Sequence, residues 1–157
     1  MPKHVLLKLE AELRELKNTL LNEIPKEIAN AAAQGDLSEN AEYEQALAKR
    51  DMFQNKVVNL EKRIAEVATL DLDRLPRDRV AYGSTVKLLD LDSDKKLTYH
   101  LVLPEELDGN AKNLSISSPI GKALVGLEEG AEVKIAIPAG TKRFEVLELV
   151  TIHDREK

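Results

Sequence analysis

The sequence predicts an α+β protein in which a long antiparallel coiled-coil hairpin of two α-helices precedes a small antiparallel β-sheet domain with one short helix. Apolar residues recur at steps of three and four between residues 6 and 67. Beyond residue 83 the period changes to that of extended strands separated by turns. We therefore expect the hairpin at residues 1–75, a linker at 76–82 and the globular domain at 83–157.

The predicted hairpin contains two apolar seams, the stripes through which paired helices pack. The first seam comprises Leu6, Leu9, Leu13, Leu16, Leu20, Ile24, Ile28 and Ala31. The second comprises Ala46, Phe53, Val57, Leu60, Ile64 and Val67, with Arg50 at an intervening seam position. The connection near Gly35 is short, so the two helices must run antiparallel. Pro25 removes a backbone hydrogen bond within the first helix, where we expect a bend.

Four β-branched and leucine-rich runs predict the strands of the second domain, at residues 85–91, 96–103, 132–137 and 143–152. Clusters of Asp, Asn, Gly and Pro separate these runs and favour turns. Residues 119–125 predict the one helix, with Pro119 in its first turn and Ser118 as its N-cap.

Composition and charge exclude several classes of function. The chain has 157 residues, a net charge of −5, no cysteine and 3% aromatic residues. Disulfides, thiol catalysis and cysteine-based zinc sites are excluded, and few aromatic rings are available to stack on nucleic-acid bases. The three histidines are scattered, and the sequence has no phosphate-binding glycine loop. No apolar run reaches the roughly 20 residues of a membrane span, so we expect a cytoplasmic protein.

Acidic residues cluster at the predicted end of the hairpin, at Asp36, Glu39, Glu42 and Glu44. In one interpretation Asp36 is the N-cap of the second helix and Glu39 completes a capping box. In the other, Asp36 and Glu39 are two hard oxygen ligands for a divalent ion such as Mg²⁺, which proteins commonly hold through carboxylates, water and phosphate. The residues alone leave both interpretations open.

The segment Gly35-Asp36-Leu37-Ser38-Glu39-Asn40-Ala41-Glu42-Tyr43 resembles the hairpin tip of the GreA-type transcript-cleavage factors at all nine positions. The resemblance continues through residues 83–86, 89–94, 116–124 and 130–138 in the family's order. The chain is therefore similar to the Gre family over nearly its whole length.

The resemblance implies a hairpin that enters the secondary channel of bacterial RNA polymerase and an FKBP-like globular domain that binds a coiled coil at the channel rim. It assigns Asp36 and Glu39 as ligands of a Mg²⁺ ion that they share with the polymerase active site, where backtracked RNA is cleaved. It assigns Asn40, Glu42 and Tyr43 as supporting tip residues. It assigns Ser117, Ser118 and Pro119 as the residues that bind the polymerase.

The same resemblance implies a monomer with no stably bound cofactor of its own, which stimulates cleavage by the polymerase rather than acting as an enzyme. The nascent RNA 3′ end would be reached only through the complex. One alternative is an inhibitor of the Gfh type, which occupies the channel without promoting cleavage. The intact acidic tip favours a cleavage factor over that inhibitor, and the resemblance across both domains disfavours a purely structural coiled-coil adaptor.

Overall fold

The computed structural model describes residues 2–35 and 40–155, which fall into two compact units, Met1–Leu70 and Asp71–Lys157. The first unit is helical, and the second contains a five-stranded sheet with short helices. The predicted α+β class, with a helical hairpin before a small sheet, is confirmed. Within the described residues, no helix combines the length and the apolar character needed to cross a membrane.

The first unit is a hairpin of long helical arms. Helix α1 covers Lys3–Asn18, a π-helical segment covers Thr19–Glu23, α2 covers Ile24–Ala32 and α3 covers Ala41–Ala68. Every residue of both predicted seams is buried or half-buried. Two ion pairs between the arms show that they run antiparallel, because Lys17 lies 3.7 Å from Glu61 whereas Glu27 lies 3.0 Å from Lys49, nearer the turn.

We predicted a bend at Pro25, and the structure shows a change of helix type immediately before it. The backbone N–H of Ile24 donates to the carbonyl of Thr19, five residues earlier. Pro25 then lies in the first turn of α2, a position that tolerates proline.

The π segment also explains the spacing of the first seam. Leu16, Leu20, Ile24 and Ile28 follow one another at steps of four, one residue more than alternating steps of three and four would give. A π turn accommodates one extra residue, so the seam continues to face α3. Ile24, directly after the π segment, is fully buried.

The second unit is built on a sheet with strand order β3-β2-β1-β5-β4. The strands are β1 Thr85–Asp90, β2 Lys96–Val102, β3 Asn113–Ser115, β4 Glu132–Ile137 and β5 Gly140–Val150. Helices α4, Pro119–Leu124, and α5, Ile152–Arg155, complete it, together with 3₁₀ turns at Leu72–Arg74 and Pro104–Glu106. Three of the four strand pairs are antiparallel, as predicted.

Strand β3 departs from the predicted antiparallel sheet, because it pairs with β2 in parallel. Residues 103–112 form the crossover that a parallel pair requires, and the 3₁₀ turn lies within it. At three residues, β3 is too short to show a strand period in the sequence.

The core of the second unit combines inward-facing strand residues with residues from outside the strands. The fully or nearly fully buried members are Val80, Val86, Leu88, Leu101, Leu124, Ile135, Phe144 and Val146. Val80 lies in the range predicted as a linker, yet it is fully buried. Its N–H donates to the carbonyl of Leu127 at 2.9 Å, and its carbonyl accepts from Gly126 at 2.8 Å, so this part of the segment belongs to the second unit.

The last predicted strand ends earlier than expected because Thr151 starts a helix. The carboxylate of Asp154 accepts hydrogen bonds from the Thr151 N–H at 3.0 Å and from the Thr151 hydroxyl at 3.1 Å. Ile152 therefore lies in α5 and not in β5. The imidazole of His153 then contacts the carbonyl of Leu75 at 2.7 Å, so α5 ties the start of the second unit to its end.

Arg155 fixes the other side of α5. Its guanidinium donates to the Gly83 carbonyl at 2.9 Å and lies 3.0 Å from Nε2 of His100. Burial, followed by the neighbouring Arg155 charge, lowers the pKa of His100, whereas Glu106 raises it. A neutral imidazole can accept the guanidinium hydrogen bond through Nε2, which suits this contact.

Replacement of Gly83 tests the packing of α5. Gly83 has φ +81°, and a Cβ there would lie 2.8 Å from the Ile152 side chain. We expect Gly83→Ala to lower the free energy of unfolding by more than the roughly 1–2 kcal/mol that a left-handed backbone alone costs. Gly109→Ala is the control, because Gly109 has φ +85° with nothing within 4 Å of its Cβ position.

Denaturant unfolding followed by tyrosine fluorescence measures both free energies. Two of the three tyrosines, Tyr82 and Tyr99, lie in the second unit and report on it. Equal losses in Gly83→Ala and Gly109→Ala would show that the contact with Ile152 contributes nothing.

Candidate functional site

The candidate site is the end of the hairpin, where α2 and α3 are connected. Helix α2 ends at Ala32, and the chain reaches Gly35 with φ +126°, a conformation that favours glycine. Asp36 and Glu39, the predicted metal ligands, lie outside the described residues. The part of the site that the structure describes consists of its two flanks, the end of α2 up to Gly35 and the start of α3 from Asn40.

Asn40 joins the two flanks through both ends of its side chain. Its Oδ1 accepts a hydrogen bond from the Tyr43 N–H at 3.1 Å, which makes it the N-cap of α3. Its Nδ2 donates to the carbonyl of Ala31 at 2.6 Å, in the last turn of α2. One amide group therefore satisfies an N–H at the start of α3 and adds a second donor to the Ala31 carbonyl, which also accepts from the Gln34 N–H at 3.2 Å.

The prediction that Asp36 is the N-cap of the second helix is wrong. Helix α3 begins at Ala41 and its N-cap is Asn40, four residues later. Asparagine caps helices as well as aspartate does, and its amide can in addition donate to a carbonyl, which an ionised carboxylate cannot. With Asn40 as the N-cap, the capping interpretation of the acidic pair no longer applies to α3.

A second contact holds the arms together behind the tip. Lys49 of α3 donates to both carboxylate oxygens of Glu27 of α2, at 3.0 Å and 3.2 Å. The ammonium group also lies 6.0 Å from the ring centroid of Phe53, and the ammonium group of Lys56 lies 5.0 Å from the same centroid. These charges are part-exposed, so the pair contributes mainly to register rather than to stability.

The supporting residues predicted for the tip lie together in and before the first turn of α3. Asn40 and Tyr43 are half-buried, whereas Glu42 is exposed. Glu42 lines an open polar depression of about 350 Å³ that Gln34, Glu27 and Lys49 also line. Carboxylates here lie at a helix N-terminus, where the helix dipole favours negative charge.

Asp36 and Glu39 are the residues predicted to bind Mg²⁺. Among residues 2–35 and 40–155, no group of three or more His, Cys, Asp or Glu side chains could hold a metal ion. Two carboxylates, Asp36 and Glu39, have the donor chemistry that Mg²⁺ prefers, but they are an incomplete set.

The predicted polymerase-binding residues lie in the second unit, where Ser117 and Ser118 end the loop after β3 and Pro119 begins α4. Ser117 and Pro119 are exposed and Ser118 is half-buried. The Ser118 hydroxyl accepts from the Gly121 N–H at 3.0 Å, which confirms Ser118 as the N-cap of α4. It also donates to the carbonyl of Ser115 at 2.6 Å.

Ser115 was not predicted as a residue that supports this loop, yet it makes hydrogen bonds to both Ser117 and Ser118. It is buried, and its hydroxyl accepts a hydrogen bond from the Ser117 N–H at 3.0 Å. The exposed loop is therefore rigid. Asn40 as a cap was also missed, although an asparagine immediately before an apolar helical period is a recognisable signal for a helix start. The signal for Ser115 was absent, since it depends on the short strand β3.

Asn40 variants test the double role of this side chain. We expect Asn40→Ala to destabilise the hairpin by about 1 kcal/mol, the usual effect of losing an N-cap. Asn40→Asp keeps the acceptor for the Tyr43 N–H but loses the donor to Ala31. Amide hydrogen exchange of Tyr43 should therefore accelerate in Asn40→Ala and stay slow in Asn40→Asp. Unchanged exchange in Asn40→Ala would contradict the cap.

Both units match known protein families. Residues 1–68 match the family described as transcription elongation factor, N-terminal, and residues 75–151 match the family described as transcription elongation factor, GreA/GreB, C-terminal. The two matches together cover nearly the whole chain.

Curated relatives align over most of their length. A transcription elongation factor GreA from Rickettsia canadensis is 42% identical over 142 residues, which is 90% of this chain and 88% of the relative. A GreA from Anaeromyxobacter sp. (strain K) is 38% identical over 154 residues, 98% of this chain and 93% of the relative.

Two solved structures are also similar. A transcription elongation factor GreA/GreB from Nitrosomonas europaea is 29% identical with a TM-score of 0.43, covering 58% of this chain and 78% of that one. GreA factor homolog 1 (Gfh1) of Thermus thermophilus is 23% identical with a TM-score of 0.42, covering 92% and 94%. From the two family matches and the curated relatives, the chain belongs to the GreA/GreB family of transcription elongation factors.

Proposed function

We propose that this elongation factor binds bacterial RNA polymerase, inserts its hairpin into the secondary channel and stimulates Mg²⁺-dependent cleavage of backtracked RNA by the polymerase. The observation that carries this proposal is the segment Gly35–Tyr43, which places two carboxylates between helix ends that Asn40 ties together. Cleavage would rescue arrested complexes by creating a new RNA 3′ end.

Asp36 and Glu39 act in trans in this proposal. A Mg²⁺ ion in such a site supplies charge stabilisation for phosphodiester hydrolysis. The two carboxylates complete a ligand set that the polymerase and the RNA phosphate otherwise provide. No stable cofactor is needed on the free protein, which stimulates the reaction and is not itself the enzyme.

The rest of the hairpin acts as a positioning device. A catalytic group accelerates a reaction most when it is already held in position, because little conformational entropy is then lost on reaching the transition state. Three features fix α2 against α3: the apolar seam, the ion pair of Glu27 with Lys49, and the hydrogen bond from the Asn40 side chain to the Ala31 carbonyl. Asn40, Glu42 and Tyr43 support the tip in this account.

The second unit supplies the binding surface. Ser117 and Pro119 are exposed on a loop that Ser115 and Ser118 hold rigid, so little order is lost when a partner binds there. We assign Ser117, Ser118 and Pro119 to contact with the coiled coil at the channel rim. The protein would act in the cytoplasm as a monomer and reach the RNA only through the polymerase.

The Gfh-type inhibitor is the competing function. It requires occupation of the channel without delivery of the ligands for cleavage. The intact acidic tip favours the cleavage factor, and the curated relatives named above are GreA proteins.

Substitution at the tip tests the proposal. In stalled, backtracked elongation complexes with Mg²⁺, we expect Asp36→Ala and Glu39→Ala each to reduce stimulated cleavage by at least about 100-fold, because each lost ligand weakens charge stabilisation in the transition state. Polymerase binding should be retained. Cleavage rates come from gel separation of the shortened RNA.

Glu44→Ala is the matched control, since Glu44 is an exposed carboxylate in the first turn of α3. It should leave cleavage within about twofold of the parent. If the parent binds but adds no cleavage, the chain is an inhibitor. If both tip variants cleave like the parent, the assignment of Asp36 and Glu39 is wrong.

A further inference from the structure

One flank of the hairpin carries an apolar groove of about 420 Å³ beside the π segment. Its apolar lining comes from the first arm: Leu20, Leu21, Ile24, Pro25, Ile28 and Ala29. Arg50 and Gln54 of α3 line the opposite edge. The groove lies entirely within the first unit.

The groove exposes apolar surface that the seam does not need. Leu20, Ile24 and Ile28 continue the seam through the π segment, whereas Leu21 is 67% exposed. The neighbouring Pro25 is exposed as well. The exposed Leu21 and Pro25 are continuous with the apolar lining of the groove, so an apolar side chain of a partner would be desolvated there.

Arg50 adds a charge to this apolar surface. It occupies a seam position on α3, where an apolar residue would pack the helices more tightly. Its guanidinium reaches the carboxylate of the adjacent Asp51 only at 3.4 Å and 3.5 Å, the long end of the hydrogen-bond range, and its side chain is 44% exposed. A cation at the edge of an apolar groove complements an apolar side chain that lies next to a carboxylate.

We infer that this groove is a docking site for a polymerase surface that presents an apolar side chain beside a carboxylate. The inference rests on the proposed function, in which the hairpin lies inside the polymerase channel. The apolar side chain enters between Leu21 and Pro25, and the carboxylate pairs with Arg50. This contact would fix how far the hairpin advances, and so where the tip stops.

A matched pair of variants tests the groove. Leu21 and Leu7 are both 67% exposed and both lie on the first arm, but only Leu21 lines the groove. We expect Leu21→Asp to raise the protein concentration for half-maximal RNA cleavage by about tenfold or more, since apolar contacts at an interface centre dominate affinity. Leu7→Asp should change it by less than about twofold. Far-UV circular dichroism checks that both variants keep the hairpin.

Arg50 variants test the charge. Arg50→Glu should weaken binding more than Arg50→Gln does, because only the former repels a carboxylate. Equal effects of Leu21→Asp and Leu7→Asp would overturn the docking site, and so would tighter binding by Arg50→Glu. A shift of the free protein from dimer to monomer in Leu21→Asp would instead assign the groove to a second copy of the chain and overturn the inference.

These outcomes are separable from failure of the proposed function. If the parent chain neither binds the polymerase nor stimulates cleavage, the proposed function fails first. If the parent does both while Leu21→Asp and both Arg50 variants match it, only the groove is wrong.

Discussion

The hydrogen bond from the Asn40 side chain to the Ala31 carbonyl closes the end of the hairpin. Two helices that meet only along a seam can slide by a turn at modest cost, and such a slide would move the segment between them. Asn40 opposes such a slide, because its side chain both caps α3 and donates a hydrogen bond to the last turn of α2. The end of α2 and the start of α3 are therefore held together, and the proposed delivery of a ligand in trans depends on such a fixed geometry.

The seams predicted the hairpin correctly because burial along one stripe is visible in the sequence as a period. The π segment was not predicted, although its signal was present in the consecutive four-residue steps from Leu16 to Ile28. Pro25 predicted a bend, and the helix changes type immediately before this residue. The physical cause is the extra residue, which a π turn absorbs while α3 keeps its partner face.

In the second unit, the sequence predicted the elements that depend on neighbouring residues and missed those that depend on tertiary contacts. Ser118 followed by Pro119 identified the start of α4, because capping depends on neighbours in the sequence. The parallel strand β3 and the helix α5 were missed, since β3 is short and α5 begins at a capping pair, in which the Thr151 hydroxyl accepts from the Asp154 N–H and the Asp154 carboxylate accepts from the Thr151 N–H. At the tip, Asp36 and Glu39 stay a prediction from the sequence, whereas the described structure shows the two hydrogen bonds by which Asn40 connects α2 and α3.

The dependence of cleavage on Mg²⁺ concentration tests the central claim most directly. If the hairpin contributes ligands to a shared ion, a saturating amount of the protein must lower the Mg²⁺ concentration needed for half-maximal cleavage of backtracked RNA by the polymerase. The two added carboxylates, Asp36 and Glu39, are the cause of that shift. An unchanged Mg²⁺ midpoint, with cleavage accelerated equally at every concentration, would contradict a shared metal site.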